Sequence, residues 1–227
     1  MLAKPICNIT PFTLLDYPNK SACILWYAGC NMRCLYCYNP EIVLGKGAIT
    51  FSETISFLKK RKGLLDAVVF SGGECLIHKN IVEQIKEVKA LGFLVKIDTN
   101  GSNSKVVKQL LDNNLIDYVA LDFKALKPNY NAITKSNLFD EFEETLDLLL
   151  VCSIPFEVRT TYHSELISDV ELNQMIHFLE DKNYKGNYYI QYFRNNVDTI
   201  EKLPISKNKI TVLPITQNLK VIIRESV

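Results

Sequence analysis

The run Ser21-Ala-Cys-Ile-Leu-Trp-Tyr27 passes directly into Ala28-Gly-Cys-Asn-Met-Arg-Cys-Leu-Tyr-Cys37, an apolar strand that delivers three cysteines into one loop. Cys30, Cys34 and Cys37 are separated by three residues and then by two. Thiolates at this spacing can wrap one face of a metal centre and leave one coordination position unfilled. Structural zinc sites close with four ligands, whereas sites built for chemistry keep a position open. A [4Fe–4S] cluster held by three cysteines leaves one iron free for an outside ligand. A closed zinc site needs a fourth ligand at knuckle spacing, and the nearest upstream cysteines, Cys23 and Cys7, do not supply one.

Outward from this loop, short apolar strands alternate with helix-period segments. Further strands are expected at Asp66–Phe70, Leu94–Asp98, Tyr118–Asp122, Pro155–Thr160 and Asn187–Tyr192, each rich in Val, Ile, Phe or Tyr as buried parallel strands are. Thr50 with Glu53, and Ser168 with Glu171, have capping-box spacing. Ile77, Ile81, Ile85, Val88 and Leu91 predict one helical face that stops at Gly92. Val106, Val107, Leu110, Leu111 and Leu115 make another, as do Phe139, Phe142, Leu146, Leu149 and Leu150, and finally Leu172, Met175, Ile176 and Leu179. These stripes read as core. Six β–α repeats imply an α/β fold with a parallel sheet covered by helices. A complete eight-fold barrel needs ~250 residues, so 227 residues fit a partial (β/α)6 barrel of TIM type better. The expected organisation is one domain over 1–227, with a barrel core over 20–195 and a C-terminal extension over 198–227. That extension holds Pro204 and Pro214 before an apolar run, Leu219–Ile223, expected as an added edge strand.

Composition narrows the function classes. Apolar residues at 48% and charged residues at 22% are ordinary for a globular enzyme, and a net charge of +1 provides no global attraction to nucleic acid or anionic membrane. The N-terminus lacks a signal-peptide pattern, and no apolar run approaches the ~20 residues of a membrane span. The expected location is the cytoplasm. The scattered cysteines Cys7, Cys23, Cys75 and Cys152 sit in apolar runs and read as small buried hydrophobes.

The distinctive residues fall at the C-terminal ends of the predicted strands, where β–α barrels place their active sites. The cysteine loop follows the first strand, Ser71-Gly72-Gly73-Glu74 the second, and Asp98-Thr99-Asn100-Gly101 the third. The fourth ends at Asp122-Phe123-Lys124, the fifth at Arg159-Thr160-Thr161 and the sixth near Gln191. Each group alone has an ordinary reading. Gly72-Gly73 suits a tight turn, and Glu74 favours a helix N-terminus. Asp98 to Gly101 suits a turn with Ser102 or Asn103 as the next cap. Lys124 and Arg159 suit surface ion pairs. Six placements in register are harder to ascribe to packing.

With its aromatic residue before the third cysteine, the motif resembles the signature of radical S-adenosylmethionine (SAM) enzymes. In that family the free iron is chelated by the amino and carboxylate groups of SAM, and an electron from the cluster cleaves a carbon–sulfur bond to give a 5′-deoxyadenosyl radical. The resemblance implies a [4Fe–4S] cluster on Cys30, Cys34 and Cys37. It implies a methionyl amino group received by Gly72, Gly73 and Glu74, whose usual following proline is here Cys75. Tyr36 is implied beside the adenine, with the backbone around Tyr38 at its edge, and Asp122, Lys124 and Arg159 are implied in the SAM site, the last two near its carboxylate and ribose. Asp98-Thr99-Asn100-Gly101 resembles the glycyl radical enzyme activases. Their pattern implies a monovalent cation beside SAM, held by Asp98, Thr99, Asp122 and the Ala120 carbonyl. A histidine that some activases carry after the sixth strand is absent, its place taken by Gln191-Tyr192-Phe193-Arg194.

Tyr17-Pro18, Cys34-Leu-Tyr-Cys-Tyr-Asn-Pro-Glu41, Asp-Thr-Asn-Gly and Val158-Arg-Thr-Thr161 resemble most the activating proteins of anaerobic ribonucleoside-triphosphate reductase, of the longer size class. That subgroup commonly has histidine where Tyr38 stands. The implied partners are this reductase, a glycine of which loses hydrogen, and a flavodoxin- or ferredoxin-type electron donor. The remaining readings are a radical SAM enzyme acting on another glycyl radical enzyme or on a small molecule such as a nucleoside precursor. Of a different class are an iron–sulfur electron carrier and a zinc-stabilised binding module, neither of which requires Gly-Gly-Glu or acidic strand ends.

Overall fold

The computed structural model describes residues 3–224 except 208, 212 and 217. Its eight strands form one sheet in chain order: β1 (Ile6–Thr13), β2 (Ala22–Tyr27), β3 (Ala67–Gly72), β4 (Leu94–Thr99), β5 (Tyr118–Asp122), β6 (Phe156–Tyr162), β7 (Asn187–Tyr192) and β8 (Lys220–Arg224). β2 through β8 run parallel, and only β1 is antiparallel to its neighbour. The six expected strands are β2 to β7, within two residues at each boundary, and the apolar run near the C-terminus is β8. This is the partial α/β barrel. Among the described residues, no helix is long and apolar enough to cross a membrane.

β1 was not legible in the periodicity. Most of its residues are exposed or half-buried, and Pro11 interrupts the ladder at a register shift, as edge strands tolerate. The helices are α1 (Pro40–Leu44), α2 (Phe51–Lys59), α3 (Ile81–Ala90), α4 (Ser104–Asp112), α5 (Lys127–Thr134), α6 (Phe139–Val151) and α7 (Asp169–Asp181). Thr50 and Glu53 close a full capping box on α2. On α7 the Ser168 hydroxyl accepts from the Glu171 amide. The stripe beginning at Ile77 needs correction. Cys75–Ile77 forms a single tight turn, α3 starts only at Ile81, and Ile77 is 40% exposed. The Glu74 side chain caps that turn at the Leu76 amide, and the chain becomes extended at His78.

The pleat sorts the strands into two faces. Cys23, Leu25, Val68, Phe70, Val95 and Ile97 face the helices and join the main core. The concave face holds a small apolar plug at its base, Ala22, Ile24, Ala67 and Val69 beneath Tyr17. Above it, polar and charged residues lead to the strand ends. Of the scattered cysteines, Cys23 and Cys75 are buried as expected, whereas Cys7 and Cys152 are only partly so.

The C-terminal extension closes back on the site. After β7, the Ile200 and Glu201 amides donate to the carbonyls of Cys37 (3.3 Å) and Leu35 (3.2 Å), strapping the chain across the cysteine loop.

Candidate active site

A cavity of ≈340 Å³ opens at the C-terminal ends of the strands, with Cys30, Cys34 and Cys37 together on its wall. Cys34 is buried and the other two are half-buried, and all are free thiols. The loop that carries them is fixed from outside the sheet. Arg33 and Leu35 donate their amides to the carbonyls of Thr134 (2.8 Å) and Ile133 (3.0 Å) at the end of α5. The Arg33 guanidinium binds the carbonyls of Cys30 and Met32, both at 2.7 Å. Asn100 reaches from the next strand end with its amide 3.8 Å from the Cys30 sulfur and 3.1 Å from Asn31 Oδ1. Burial, and next the Glu74 charge, push the Cys30 thiol up to about 12. Such thiols keep their protons until a metal displaces them. Among the described residues, no three His, Cys, Asp or Glu side chains converge on a single metal ion. Three free thiols on one cavity wall are a donor set that suits an iron–sulfur cluster with one open position.

Gly72 and Gly73 pass beneath the cysteine loop as closely as backbone allows. Gly73 lies against the Gly29 carbonyl and Gly72, at φ +120°, against the Tyr27 backbone, so a Cβ at either position would collide with main chain. The turn therefore presents bare backbone to the cavity. Tyr36, 3% exposed, lines that cavity, and its hydroxyl is buried without a hydrogen-bond partner. An orphaned hydroxyl beside a cavity fits a ligand that completes it. Tyr38 also lines the cavity; its ring stacks on Phe193 (5.4 Å, 20°) and its hydroxyl accepts from the Arg194 amide at 2.7 Å.

Glu74 lies elsewhere than the resemblance implies. It is 1% exposed and does not line the cavity. Its oxygens accept from the amides of Leu76 (3.0 Å) and Asn100 (2.7 Å) and from the Thr99 hydroxyl (2.9 Å), tying the β3 turn to the β4 turn. Burial outweighs these three donors and pushes its carboxyl up to about 7.

Asp98, Asp122, Lys124 and Arg159 form the floor of the cavity. Arg159 Nε donates to Asp122 Oδ1 at 3.0 Å, and Lys124 Nζ to Asp122 Oδ2 at 3.0 Å. Burial alone would raise the Asp122 carboxyl, but Arg159 and then Lys124 overcome it and hold the group near about 2. Asp98 accepts from Ser71 (3.1 Å) and lies 3.7 Å from Arg159 NH1. Its other oxygen pairs with Lys96, which is 2% exposed. Lower still, Glu157 accepts from the Tyr118 hydroxyl at 3.0 Å and lies 4.0 Å from Arg159. Lys96 and Glu157 were not singled out from the sequence, although a signal existed. Each is a charge inside an apolar strand, two positions before a site residue and hence on the same face.

A model of the Radical SAM superfamily matches residues 24–178, which contain the three cysteines, the Gly72-Gly73 turn and the charged floor. The chain belongs to the radical SAM superfamily. Enzymes of this superfamily work with a [4Fe–4S] cluster and SAM, so this radical SAM enzyme is of the class the cysteine motif implied. A Methanocaldococcus jannaschii protein, provisionally named a glycyl-radical enzyme activating enzyme, is 31% identical over 215 residues, covering 89% of this chain and 86% of its own. The pyruvate formate-lyase-activating enzyme of Clostridium pasteurianum is 29% identical over 157 residues, 65% of either chain. Streptococcus suis SuiB, solved bound to S-adenosylmethionine, shares the fold with a TM-score of 0.63 at 13% identity, over 88% of this radical SAM chain and 51% of SuiB. The chain thus spans about half of that structure and just under two thirds of the Clostridium protein.

Proposed function

We propose that this radical SAM enzyme activates a glycyl radical enzyme, with anaerobic ribonucleoside-triphosphate reductase as its target and a flavodoxin- or ferredoxin-type protein as electron donor. The observation that carries this reading is the meeting of the cysteine wall, the Gly72-Gly73 turn and the charged floor in one cavity. The relatives' names support activation of glycyl radical enzymes as a group. The narrower target rests on the motifs, from Tyr17-Pro18 to Val158-Arg-Thr-Thr161.

In this reading Cys30, Cys34 and Cys37 hold the cluster, and Asn100 and Arg33 fix the loop that aims them. When bound, the cluster and SAM together supply the 5′-deoxyadenosyl radical that abstracts hydrogen from a glycine Cα. The backbone of Gly72 and Gly73 receives the methionyl end of SAM, and Glu74 acts through that turn by shaping it. Tyr36 and Tyr38 flank the adenine. Lys124 and Arg159 offer the floor's positive charge to the SAM carboxylate and ribose, with Asp122 setting their orientation. The strap at Ile200 and Glu201 and the stacked pair Tyr38–Phe193 cover the outer side of the cysteine loop, excluding water from the site. No side chain is required as a general acid or base.

Anoxic reconstitution should give about four irons and four sulfides per chain. Alanine at Cys30, Cys34 or Cys37 should abolish the chromophore and SAM cleavage together, and alanine at Cys7 or Cys152 should spare both. With reductant, SAM and the cognate reductase, a glycyl-type EPR signal should appear on the reductase alongside 5′-deoxyadenosine. Formation of 5′-deoxyadenosine with consumption of a small metabolite, and no radical on any glycyl radical enzyme, would replace this function with the small-molecule reading.

A further inference from the structure

Activase resemblance implies a monovalent metal cation held by Asp98, Thr99, Asp122 and the Ala120 carbonyl, but this chain's residues do not fit one. Thr99 turns away: its hydroxyl donates to Glu74 at 2.9 Å and accepts from the Gly101 amide at 3.1 Å. Ala120 lies mid-strand in β5, laddered to β4 on one side and β6 on the other, so its carbonyl serves the sheet. The two carboxylates are fully engaged. Asp122 has Arg159 on one oxygen and Lys124 on the other, both at 3.0 Å. Asp98 has Ser71 at 3.1 Å on one oxygen and the Lys96 ammonium on the other. A hard cation needs oxygen donors that face no other cation, and both carboxylates of this set already stand against ammonium or guanidinium groups.

The charges of the floor also pair with one another. Asp98, Asp122 and Glu157 face Lys96, Lys124 and Arg159, three negative groups against three positive ones. Lys96 is the unusual member. A lysine 2% exposed inside a sheet is rare, because an ammonium out of water is tolerated only when it is paired. Its partner stands two residues along the same strand face, and the Tyr118 ring lies 6.0 Å from the ammonium.

We infer that Lys96 is a resident cation: its ammonium takes the charge-balancing place of the monovalent metal, so SAM binds to this enzyme without sodium or potassium. The inference rests on reading the cavity as the SAM site. Lys96 is a positioning residue. It lies beneath the cavity wall and acts through Asp98, holding one oxygen of that carboxylate and leaving Arg159 shared among Asp98, Asp122 and Glu157.

The test compares potassium chloride with tetramethylammonium chloride at equal ionic strength, using cluster-loaded protein. Calorimetric SAM affinity of the native enzyme should agree within about twofold between the two salts, and the melting temperature without SAM should not depend on which is present. Lys96→Met keeps the side chain's volume and removes its charge. In both salts its SAM affinity should fall about tenfold, because Asp98 alone, without Thr99, Ala120 or Asp122 to complete a shell, does not make a metal site. A tenfold gain in native affinity on adding potassium, or a potassium-dependent rise in native melting temperature, would overturn the inference. So would a Lys96→Met protein that binds SAM normally in tetramethylammonium. If that variant fails to fold, the native comparison decides alone. Failure of the activase reading is distinguishable, because it shows on the partner as a missing glycyl radical and leaves this titration unchanged.

Discussion

Glu74, buried just after β3, and Asp122, half-buried at the end of β5, are neighbouring carboxylates whose surroundings drive them in opposite directions. Glu74 receives three hydrogen bonds but touches no cation, and burial pushes it up to about 7. Asp122 receives fewer donors, but two of its neighbours carry full charge, and it is held near about 2. Fixed dipoles partly replace the water a buried carboxylate loses; a cation more than replaces it. The two regions accordingly suit different work. The β4–β5–β6 floor is a set of paired acidic and basic side chains against which a charged ligand is oriented. The β3 turn is a nearly neutral strut that holds backbone in place.

The largest effect should come from breaking the floor. Arg159→Met removes the cation shared by Asp98, Asp122 and Glu157. Stranding one side of a largely buried ion pair costs about 3–5 kcal/mol. Lys96 and Lys124 remain and the guanidinium is 26% exposed, so the lower end of that range, about 3 kcal/mol, is expected. Urea unfolding of cluster-free protein at neutral pH measures it. A loss below about 1 kcal/mol would mean that solvent already screens the network as it does a surface pair.

The strut should show itself through pH. The native Glu74 carboxyl holds its proton up to about 7, whereas the ordinary value is 4.5. Between those values the unfolded chain has lost a proton that the native state retains, so this group makes stability fall as pH rises. At 1.36 kcal/mol per unit the whole interval is worth up to about 3 kcal/mol. Glu74→Gln cannot titrate and should flatten this part of the curve, although it starts from a lower stability because an amide replaces one acceptor oxygen with a donor. Identical slopes in the two proteins between pH 4.5 and 7 would show that the three hydrogen bonds hold Glu74 ionised throughout.

Much of this was readable in the chain. Strands β2 to β7 announced themselves because a parallel strand buried on both faces is a continuous apolar run, and the capping residues Thr50 and Ser168 marked α2 and α7. The cavity-lining residues were found by where they stand at strand ends, a property of order along the chain. What escaped depends on direction in space. Glu74 reads as a ligand because of its neighbours in sequence, yet its carboxylate folds inward once Leu76, Thr99 and Asn100 supply donors. Lys96 escaped although a charge inside an apolar strand, two residues before Asp98, was a signal, because its burial and its pairing with Asp98 appear only once the sheet has formed. β1 escaped because it lies at the sheet edge, where half-exposed residues leave no period-two signal.

Tyr36 extends the comparison to a third case and the smallest expected effect. Glu74 has dipoles and Asp122 has cations, whereas the Tyr36 hydroxyl, at 3% side exposure for the whole residue, has no partner. Leaving a buried hydroxyl unsatisfied costs about 1–3 kcal/mol, and replacing it by hydrogen at nearly constant shape returns part of that. Tyr36→Phe should therefore stabilise the cluster-free, SAM-free protein by about 1 kcal/mol, a rise of roughly 2–4 °C in melting temperature for a chain of this size. The same substitution should weaken SAM binding to the cluster-loaded protein about fivefold, the equivalent of losing one hydrogen bond of about 1 kcal/mol. The opposite signs are the informative part. A hydroxyl kept for packing would change stability alone, and one satisfied by a trapped water would make the phenylalanine protein less stable. A gain in stability together with a loss of SAM affinity assigns the hydroxyl to the ligand, and identifies it as a polar group whose folding cost is recovered only on binding.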